Sequence, residues 1–154
     1  MADRHPTASV IGTDLSPIQP NWVPQNLQFY IDDAENDWLF RDSEKFDFIH
    51  GRALCGGIGD WARFYAQAYD HLQPGGWLEM QDHECWINSD DGGMDRAPGC
   101  YEWIREVGRA SEIFGKPLNI AHLHRQWMID AGFEDVTEIV RKVGDAANRS
   151  AEFD

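Results

Sequence analysis

The fold of this chain is decided by the stretch VIGTDLSP, residues 10–17 of its 154 residues. The β-branched residues of this stretch favour a buried strand, which Pro17 stops. In nucleotide-binding α/β sheets, an acid at the tip of such a strand accepts hydrogen bonds from a ribose. Asp14 is that acid here, and it has two interpretations: a ribose acceptor, or a residue that ends the strand in a turn, which is the commoner role of Asp before Ser-Pro.

Length and composition indicate one globular domain with a sizeable core. Hydrophobic residues make up 42% of the chain and aromatic residues 12%, which is typical of a folded protein. The formal net charge is -14, from 13 basic and 27 acidic side chains. Nucleic acids and anionic membranes bind basic patches, and the sequence has no Lys/Arg cluster, so we expect neither as a direct partner.

The cysteines indicate an intracellular protein without a structural metal. Cys55, Cys85 and Cys100 are an odd number without Cys-x-x-Cys spacing, so neither a disulfide framework nor a zinc site is indicated. The run HEC at residues 83–85 offers three ligand types in a row. Consecutive residues rarely converge on one ion, and we therefore expect no metal site. The sequence has no signal-peptide core and no membrane-length apolar run, so the expected location is cytoplasmic or nuclear.

Acidic residues follow the second predicted strand, which covers residues 27–31. The run DDAE, residues 32–35, carries three carboxylates. One interpretation is a solvated turn at a helix start, where acids are favourable. The other is that one of the Asp side chains accepts a hydrogen bond from an adenine amino group. A general acid/base pair is disfavoured because adjacent side chains in a strand point to opposite faces.

The segment FDFIH, residues 46–50, predicts a third strand that is buried on both faces. His50 ends this predicted strand at the edge where parallel α/β sheets bind ligands. A lone His in that position is more often structural than catalytic, so no catalytic residue is assigned. The run GGIG at 56–59 has neither the Walker A nor the Rossmann glycine spacing, and it predicts a flexible connection.

The next part of the chain predicts a strand–helix–strand unit followed by further helices. Asp60 caps a helix with an apolar stripe along one face, formed by Trp61, Phe64, Tyr65, Ala68 and Leu72. The turn PGG at 74–76 ends this helix, and residues 77–81 form the next strand. The remaining predicted elements are a helix over 98–114, another from Asn119 that stops at Gly132, a strand over 133–143, and a polar tail over 144–154 that frays.

The order of these pieces resembles the class I S-adenosylmethionine-dependent methyltransferases, and most of all the fungal LaeA-like, TAM-domain methyltransferases of secondary metabolism. The resemblance is carried by IGTDLSPIQPNWVPQN, FYIDDAEND, FDFIHGRAL, DWARFYAQAYDHLQPGGWLEMQD and WMIDAGFEDVTE, in that order. It covers nearly all of the chain from Ala2 to about Val143. The expected domain is therefore a partial methyltransferase domain at residues 1–143.

The resemblance implies S-adenosyl-L-methionine as cofactor and assigns it five residues. Asp14 matches the acid that binds the two ribose hydroxyls, and Leu15 matches the apolar residue that packs on the adenine face. Asp33 and Ala34 match the pair that binds the adenine edge, through a carboxylate and a backbone N–H. His50 matches the strand end beside the reacting sulfonium and the substrate cleft.

The chain also departs from the family pattern. The family begins with a strand and a Gly-x-Gly-x-Gly loop around the methionine part of the cofactor, and this sequence contains neither. In the family sheet order 3-2-1-4-5-7-6, strands 1 and 7 would both be missing. The expected fold is therefore an incomplete Rossmann-like α/β sheet, truncated at both ends. Either family strand 2 pairs directly with strand 4, or the domain needs the missing piece.

The expected function is methyl transfer to an unknown small-molecule or protein acceptor, impaired by the missing glycine loop. Such a displacement depends mostly on positioning the reactants. The alternative is a catalytically inert methyltransferase fragment that acts, if at all, through contacts with a protein partner. A nicotinamide-dependent oxidoreductase would share the acid at Asp14 but none of the later motifs.

Overall fold

The computed structural model describes residues 1–87, 89–90 and 92–142 of the chain. It contains both strands and helices, as expected for an α/β domain. The elements are β1 (Val10–Asp14), β2 (Leu27–Ile31), β3 (Phe46–Arg52), α1 (Trp61–Asp70), β4 (Leu72–Gln81), α2 (Pro98–Phe114) and α3 (His124–Asp130), with short 3-10 turns at Ala2–Arg4, Asp42–Glu44, Gly93–Arg96 and Ala121–Leu123. None of the described helices has the length and apolarity that crossing a membrane requires.

The four strands form two separate parallel pairs. In the first pair, β1 lies beside β2, with Asp14 opposite Ile31 at its carboxyl end. In the second pair, β3 lies beside β4, with one irregularity between Phe46 and Phe48. Strands β1 and β3 correspond to family strands 2 and 4. Over the described residues they are not hydrogen-bonded to each other, so the alternative that these two strands pair directly is wrong.

Within the described part of the chain, one face of the β3–β4 sheet is covered and the other is open. Leu78 and Met80 of β4 pack against the core cluster of the protein. On the opposite face, Trp77 is 69% exposed and His50 and Glu79 are also exposed. The prediction that the third strand is buried on both faces is therefore wrong, because burial of the second face requires a covering element that local hydrophobicity does not supply.

The core lies between this covered face and helices α1 and α3. The buried residues of α1 are Trp61, Phe64, Tyr65 and Ala68, which is the predicted apolar stripe. The predicted cap is confirmed, since the Asp60 carboxylate accepts a hydrogen bond from the backbone N–H of Arg63 at 2.9 Å. The last residue of the predicted stripe, Leu72, is buried but begins β4 instead of extending the helix.

The C-terminal elements agree with the sequence prediction only in part. Helix α2 has the predicted bounds, whereas α3 begins at His124 after a 3-10 turn. The predicted strand over 133–143 is wrong within the described residues, since 133–142 form no strand and Ile139 and Val140 are 79% and 84% exposed. A segment with alternating apolar residues forms a stable strand only where a neighbouring strand is available to pair with it. Residues 143–154, including the predicted tail, lie outside the described residues.

The glycine-rich run at 56–59 is a packed connection rather than a flexible one. Ile58 within it is 3% exposed and belongs to the core cluster. The Gly59 N–H donates to the Glu35 carboxylate at 2.7 Å, and the Gly57 carbonyl accepts from the Lys116 ammonium at 2.7 Å. The run is therefore held from both sides by charged residues that are distant in sequence.

Glu35 connects three parts of the chain. Its carboxylate accepts hydrogen bonds from the Lys116 ammonium at 2.5 Å, from Gly59 N–H at 2.7 Å and from Asp60 N–H at 3.1 Å. The Lys116 hydrogen bond is the main cause that lowers the pKa of Glu35 to about 2, and the two backbone hydrogen bonds contribute to the same shift. Glu35 is therefore ionised in the folded protein down to strongly acidic pH.

We expect the substitution Glu35→Gln to lower the free energy of unfolding by about 1–3 kcal/mol near neutral pH, because it removes a charge-assisted acceptor. The folded pKa of about 2 lies below the ordinary value of 4.5, so this stabilisation is present above 4.5 and is lost as the pH falls toward 2. Chemical denaturation at neutral and acidic pH measures both effects. Glu102→Gln, on the exposed surface of α2, is the matched control. Equal stability of the two variants near neutral pH contradicts the role of Glu35.

Candidate functional site

The carboxyl ends of β1 and β2 bring predicted cofactor residues to one sheet edge. Asp14 is the last residue of β1 and lies opposite Ile31, the last residue of β2. The Asp32 N–H donates to the Asp14 carbonyl at 3.1 Å, which extends the contact by one residue. Asp33 follows directly on the same edge. Asp14 and the acidic run that follows β2 therefore lie at the same edge of the sheet.

The Asp14 side chain takes part in the turn that follows β1. Its Oδ1 accepts a hydrogen bond from the Ser16 N–H at 2.8 Å, as an Asp at a strand-terminating turn does. The turn interpretation is thus confirmed. A carboxylate has further lone pairs for other donors, so the ribose interpretation stays a prediction. Leu15 beside it is 61% exposed and presents an apolar surface next to the carboxylate.

Asp33 and Ala34 form a tight turn after β2. Asp33 Oδ1 accepts the Glu35 N–H at 3.0 Å, and the Ala34 carbonyl accepts Trp38 Nε1–H at 3.0 Å. Ala34 also packs against the core cluster, which fixes the turn. Its backbone N–H makes no hydrogen bond to the described residues. The adenine role of this pair stays a prediction.

The sequence predicts that His50 ends its strand, and this prediction is wrong. Strand β3 continues through Gly51 to Arg52, which places His50 on the open sheet face. Its Nδ1 lies 3.1 Å from Oε2 of Glu79 on β4, and its ring stacks on Phe48 at 6.2 Å between centroids. These contacts make His50 a cross-strand partner on the sheet surface, and its predicted role beside the cofactor sulfonium stays untested.

A second group of polar residues lies beyond the carboxyl ends of β3 and β4. Cys55 Sγ is 3.8 Å from His83 Nε2 and 3.9 Å from Cys85 Sγ, and all three ligand atoms lie within 4.8 Å of one another. Glu84, between them in sequence, instead accepts hydrogen bonds from the N–H and Nδ1 of His122 at 2.9 and 2.7 Å. Glu84 therefore does not join the other two residues of the HEC run. His83 and Cys85 do come together, with Cys55, which the sequence did not predict.

Asp82 anchors this group. Its side chain is fully buried, and its Oδ1 accepts the His83 N–H at 2.9 Å. Its Oδ2 lies 3.4 Å from Nε2 of His124, whose Nδ1 is 2.7 Å from the Tyr65 hydroxyl. Burial raises the pKa of the Cys55 thiol, and Asp82 raises it further by a hydrogen bond and by its charge.

Tyr65 of α1 and His124 of α3 are in buried contact, and the pKa of each is shifted. Burial lowers the pKa of His124, while the nearby charge of Asp82 opposes that shift. Burial also raises the pKa of Tyr65, and the charge of Asp82 acts in the same direction. The hydroxyl and the imidazole therefore meet as neutral groups, which is the favourable arrangement for a hydrogen bond away from water.

An apolar cavity lies beside the Cys55, His83 and Cys85 group. Its volume is about 190 Å³, which is small for an organic substrate. It lies between α2 and the segment that precedes α3, and Cys85 forms part of its wall. Its lining residues are Cys85, Trp103, Ile104, Val107, Gly108, Leu118 and Asn119.

Comparison with known proteins decides the family. A family model described as a methyltransferase domain matches residues 1–138. The chain belongs to the methyltransferase domain family. This confirms the resemblance drawn from the sequence, and the mixed α/β content with short parallel strand pairs is compatible with a class I methyltransferase fold.

Curated relatives of this methyltransferase domain include fungal proteins. The chain is 40% identical over 139 residues to the methyltransferase pytC of Aspergillus terreus, which covers 90% of the chain and 42% of that protein. It is 34% identical over 145 residues to the secondary metabolism regulator LAE1 of Cochliobolus heterostrophus, covering 93% of the chain and 47% of that protein. It is 31% identical over 140 residues to the secondary metabolism regulator laeA of Aspergillus flavus, covering 88% and 37%. The chain thus spans less than half the length of these relatives.

Sequence reasoning about this methyltransferase domain missed Asp82 and His124. Asp82 directly follows β4, as Asp32 directly follows β2, and this repeated position was an available signal. His124 shares a helix face with Trp127, and the Trp127 ring stacks on Trp61 at 5.5 Å. A histidine at three-residue spacing from a core tryptophan points into the core, which the pattern of apolar residues alone did not indicate.

We expect the stability of the chain to fall as the pH drops below about 6.5, in part through His124. Its folded pKa is lowered, so the unfolded chain takes up a proton in a range where the folded chain does not, and stability is lost as the pH falls through the folded pKa. His124→Gln should flatten this part of the profile. His5→Gln, at an exposed position, is the control. Denaturation profiles of His124→Gln and the unsubstituted chain that run parallel over this range contradict the assignment.

Proposed function

We propose that this chain is an S-adenosylmethionine-dependent methyltransferase-like protein. The observation that carries the proposal is the position of Asp14 and Asp33 at one carboxyl edge of parallel strands, in a chain of the methyltransferase domain family. That edge is where α/β sheets bind nucleotide ligands. The location we propose is cytoplasmic or nuclear.

The donor and acceptor set at this edge fits the adenosine half of the cofactor. The Asp14 carboxylate would accept hydrogen bonds from the ribose hydroxyls, and the exposed Leu15 would pack on an adenine face. The Asp33 carboxylate would accept from the adenine amino group, and the Ala34 N–H would donate to the adenine ring. When bound, the cofactor supplies a methyl group activated on a sulfonium.

The residues of the chain would act by binding and orientation. A displacement at a methyl group requires the acceptor to be aligned with the breaking bond, and positioning alone contributes several kcal/mol or more to such reactions. A general base is needed only where the acceptor carries a proton. The acceptor is an unidentified small molecule or protein, and no residue is assigned as its base.

The 154-residue chain itself offers contacts to the adenosine half only. Its sequence contains no Gly-x-Gly-x-Gly run to surround the methionine half of the cofactor. Backbone N–H groups of such loops supply a large part of nucleotide affinity. We therefore propose that this chain by itself binds the cofactor weakly and turns over poorly.

We expect ligand-observed NMR to show S-adenosylmethionine binding to the purified chain that is weaker than micromolar. Asp14→Asn should weaken the binding by about tenfold or more, because it removes a charged acceptor for two hydroxyls. Asp3→Asn, in the exposed N-terminal turn, is the matched control. Equal affinities of the two variants contradict the ribose role of Asp14, and micromolar affinity with normal turnover contradicts the impairment.

A second candidate is an inert methyltransferase-like polypeptide that acts through protein contacts. It is favoured by the open face of the β3–β4 sheet, where Trp77 is 69% exposed. Transcript reads that continue in frame upstream of Met1 through a strand and a Gly-x-Gly-x-Gly loop would favour the enzyme. A start at Met1 together with no detectable cofactor binding would favour the inert polypeptide.

A further inference from the structure

We propose that Cys55, His83 and Cys85 form a binding site for a divalent transition-metal ion of the zinc type. The site offers two sulfur ligands and one imidazole nitrogen, which are the ligand types that zinc prefers. It lies beyond the carboxyl ends of β3 and β4 and contains none of the residues predicted to bind the cofactor. The inference does not depend on methyltransferase activity.

Two of the three distances between the ligand atoms match a tetrahedral centre. Zinc–sulfur bonds of about 2.3 Å and zinc–nitrogen bonds of about 2.0 Å, across a tetrahedral angle, place two sulfurs about 3.8 Å apart and a sulfur and a nitrogen about 3.6 Å apart. Cys55 Sγ lies 3.9 Å from Cys85 Sγ and 3.8 Å from His83 Nε2. All three ligand atoms lie within 4.8 Å of one another, so small movements of these side chains would bring them onto one ion.

The backbone explains why these three residues converge. Residues 82–87 continue past β4 without regular secondary structure, and His83 and Cys85, two residues apart, bring their ligand atoms within 4.8 Å of each other. Cys55 reaches the same place from the loop that follows β3, the neighbouring parallel strand. Ala53 in that loop has φ 53°, a left-handed conformation that turns the chain sharply just before Cys55.

Asp82 is an independent observation that favours a cation here. Its side chain is fully buried, its Oδ1 lies 3.6 Å from Nδ1 of His83, and its Oδ2 has no hydrogen-bond partner among the described residues. A carboxylate beside the second imidazole nitrogen is the usual neighbour of a metal-bound histidine, because it fixes the ring orientation. A positive ion in the cluster would also lie near this buried negative charge, whose Oδ2 is 3.4 Å from Nε2 of His124.

Metal binding would join two segments that the sequence keeps apart. Each Cys thiol would lose its proton to the solvent when its sulfur coordinates the ion, and His83 would bind through Nε2. The three protein ligands leave a fourth tetrahedral position for water or another small ligand. Because the ligands come from both sides of α1, the ion would stabilise the folded chain relative to the unfolded one.

The test uses the full 154-residue chain in reduced, metal-free form, titrated with Co²⁺ and then with Zn²⁺ against a chromophoric chelator. We expect one ion per chain, visible bands of tetrahedral Co²⁺ and a near-ultraviolet band of thiolate-to-cobalt charge transfer. Zn²⁺ should displace Co²⁺ and raise the melting temperature. Absence of the charge-transfer band, or binding too weak to compete with the chelator, would overturn the proposal and leave a hydrogen-bonded thiol cluster.

Matched variants separate this site from adventitious binding. Cys55→Ser and His83→Gln should each weaken Zn²⁺ binding by at least tenfold, whereas Cys100→Ser and His122→Gln should leave it unchanged. Cys100 is an exposed cysteine of α2, and His122 is an exposed histidine paired with Glu84. His83 is 57% exposed, so His83→Gln remains a usable test if Cys55→Ser fails to fold. Equal loss of affinity in the control variants would assign the metal to another place.

Discussion

The two sheets of this protein are held together without a hydrogen bond between their strands, and Glu35 is the residue on which that connection depends. Its carboxylate accepts hydrogen bonds from the Lys116 ammonium, beyond α2, and from the two backbone N–H groups just before α1. It follows β2 by four residues, so these contacts tie the first sheet to the helix that covers the second. This ionised side chain thus connects parts of the protein that, in a continuous sheet, backbone hydrogen bonds between neighbouring strands would join.

The segment after Glu35 strengthens the same connection through polar contacts to α1. The Gln67 side chain accepts the Trp38 N–H at 3.0 Å and donates to the Asn36 carbonyl at 3.1 Å. The Trp38 ring meets Phe64 edge-to-face at 5.8 Å, which brings an aromatic contact into the same interface. The position of the β1–β2 edge relative to the core is therefore set by side chains, and the candidate cofactor residues depend on them.

The sequence allowed the local elements to be predicted, because helices and strands leave periodic patterns. The stripe of α1, its Asp60 cap and the bounds of α2 were recovered in this way. The open face of β3 and the missing strand after Phe133 were not, because both depend on which other elements are present to cover or pair with them. Periodicity reports which residues are suited to burial, and tertiary neighbours decide whether burial occurs.

The same division applies to the candidate sites. The shared edge of Asp14 and Asp33 follows from parallel pairing, so it could be predicted from strand order alone. The meeting of Cys55 with His83 and Cys85 could not, since it joins residues about thirty positions apart through the pairing of β3 with β4. The two-residue spacing of His83 and Cys85 was a local hint, because side chains two apart can share one side of a chain, but the prediction rested on their adjacency to Glu84.

The separation of the strands into two pairs has a consequence for how copies of the chain meet. Each described strand pairs on one side only, so all four are edge strands with backbone groups open to another chain. Such edges template aggregation unless something keeps neighbouring molecules apart. The net charge of -14 supplies that repulsion, and dissolved salt screens it over about 10 Å at moderate ionic strength. The negative charge of the chain therefore opposes aggregation through its strand edges, and this effect weakens as the salt concentration rises.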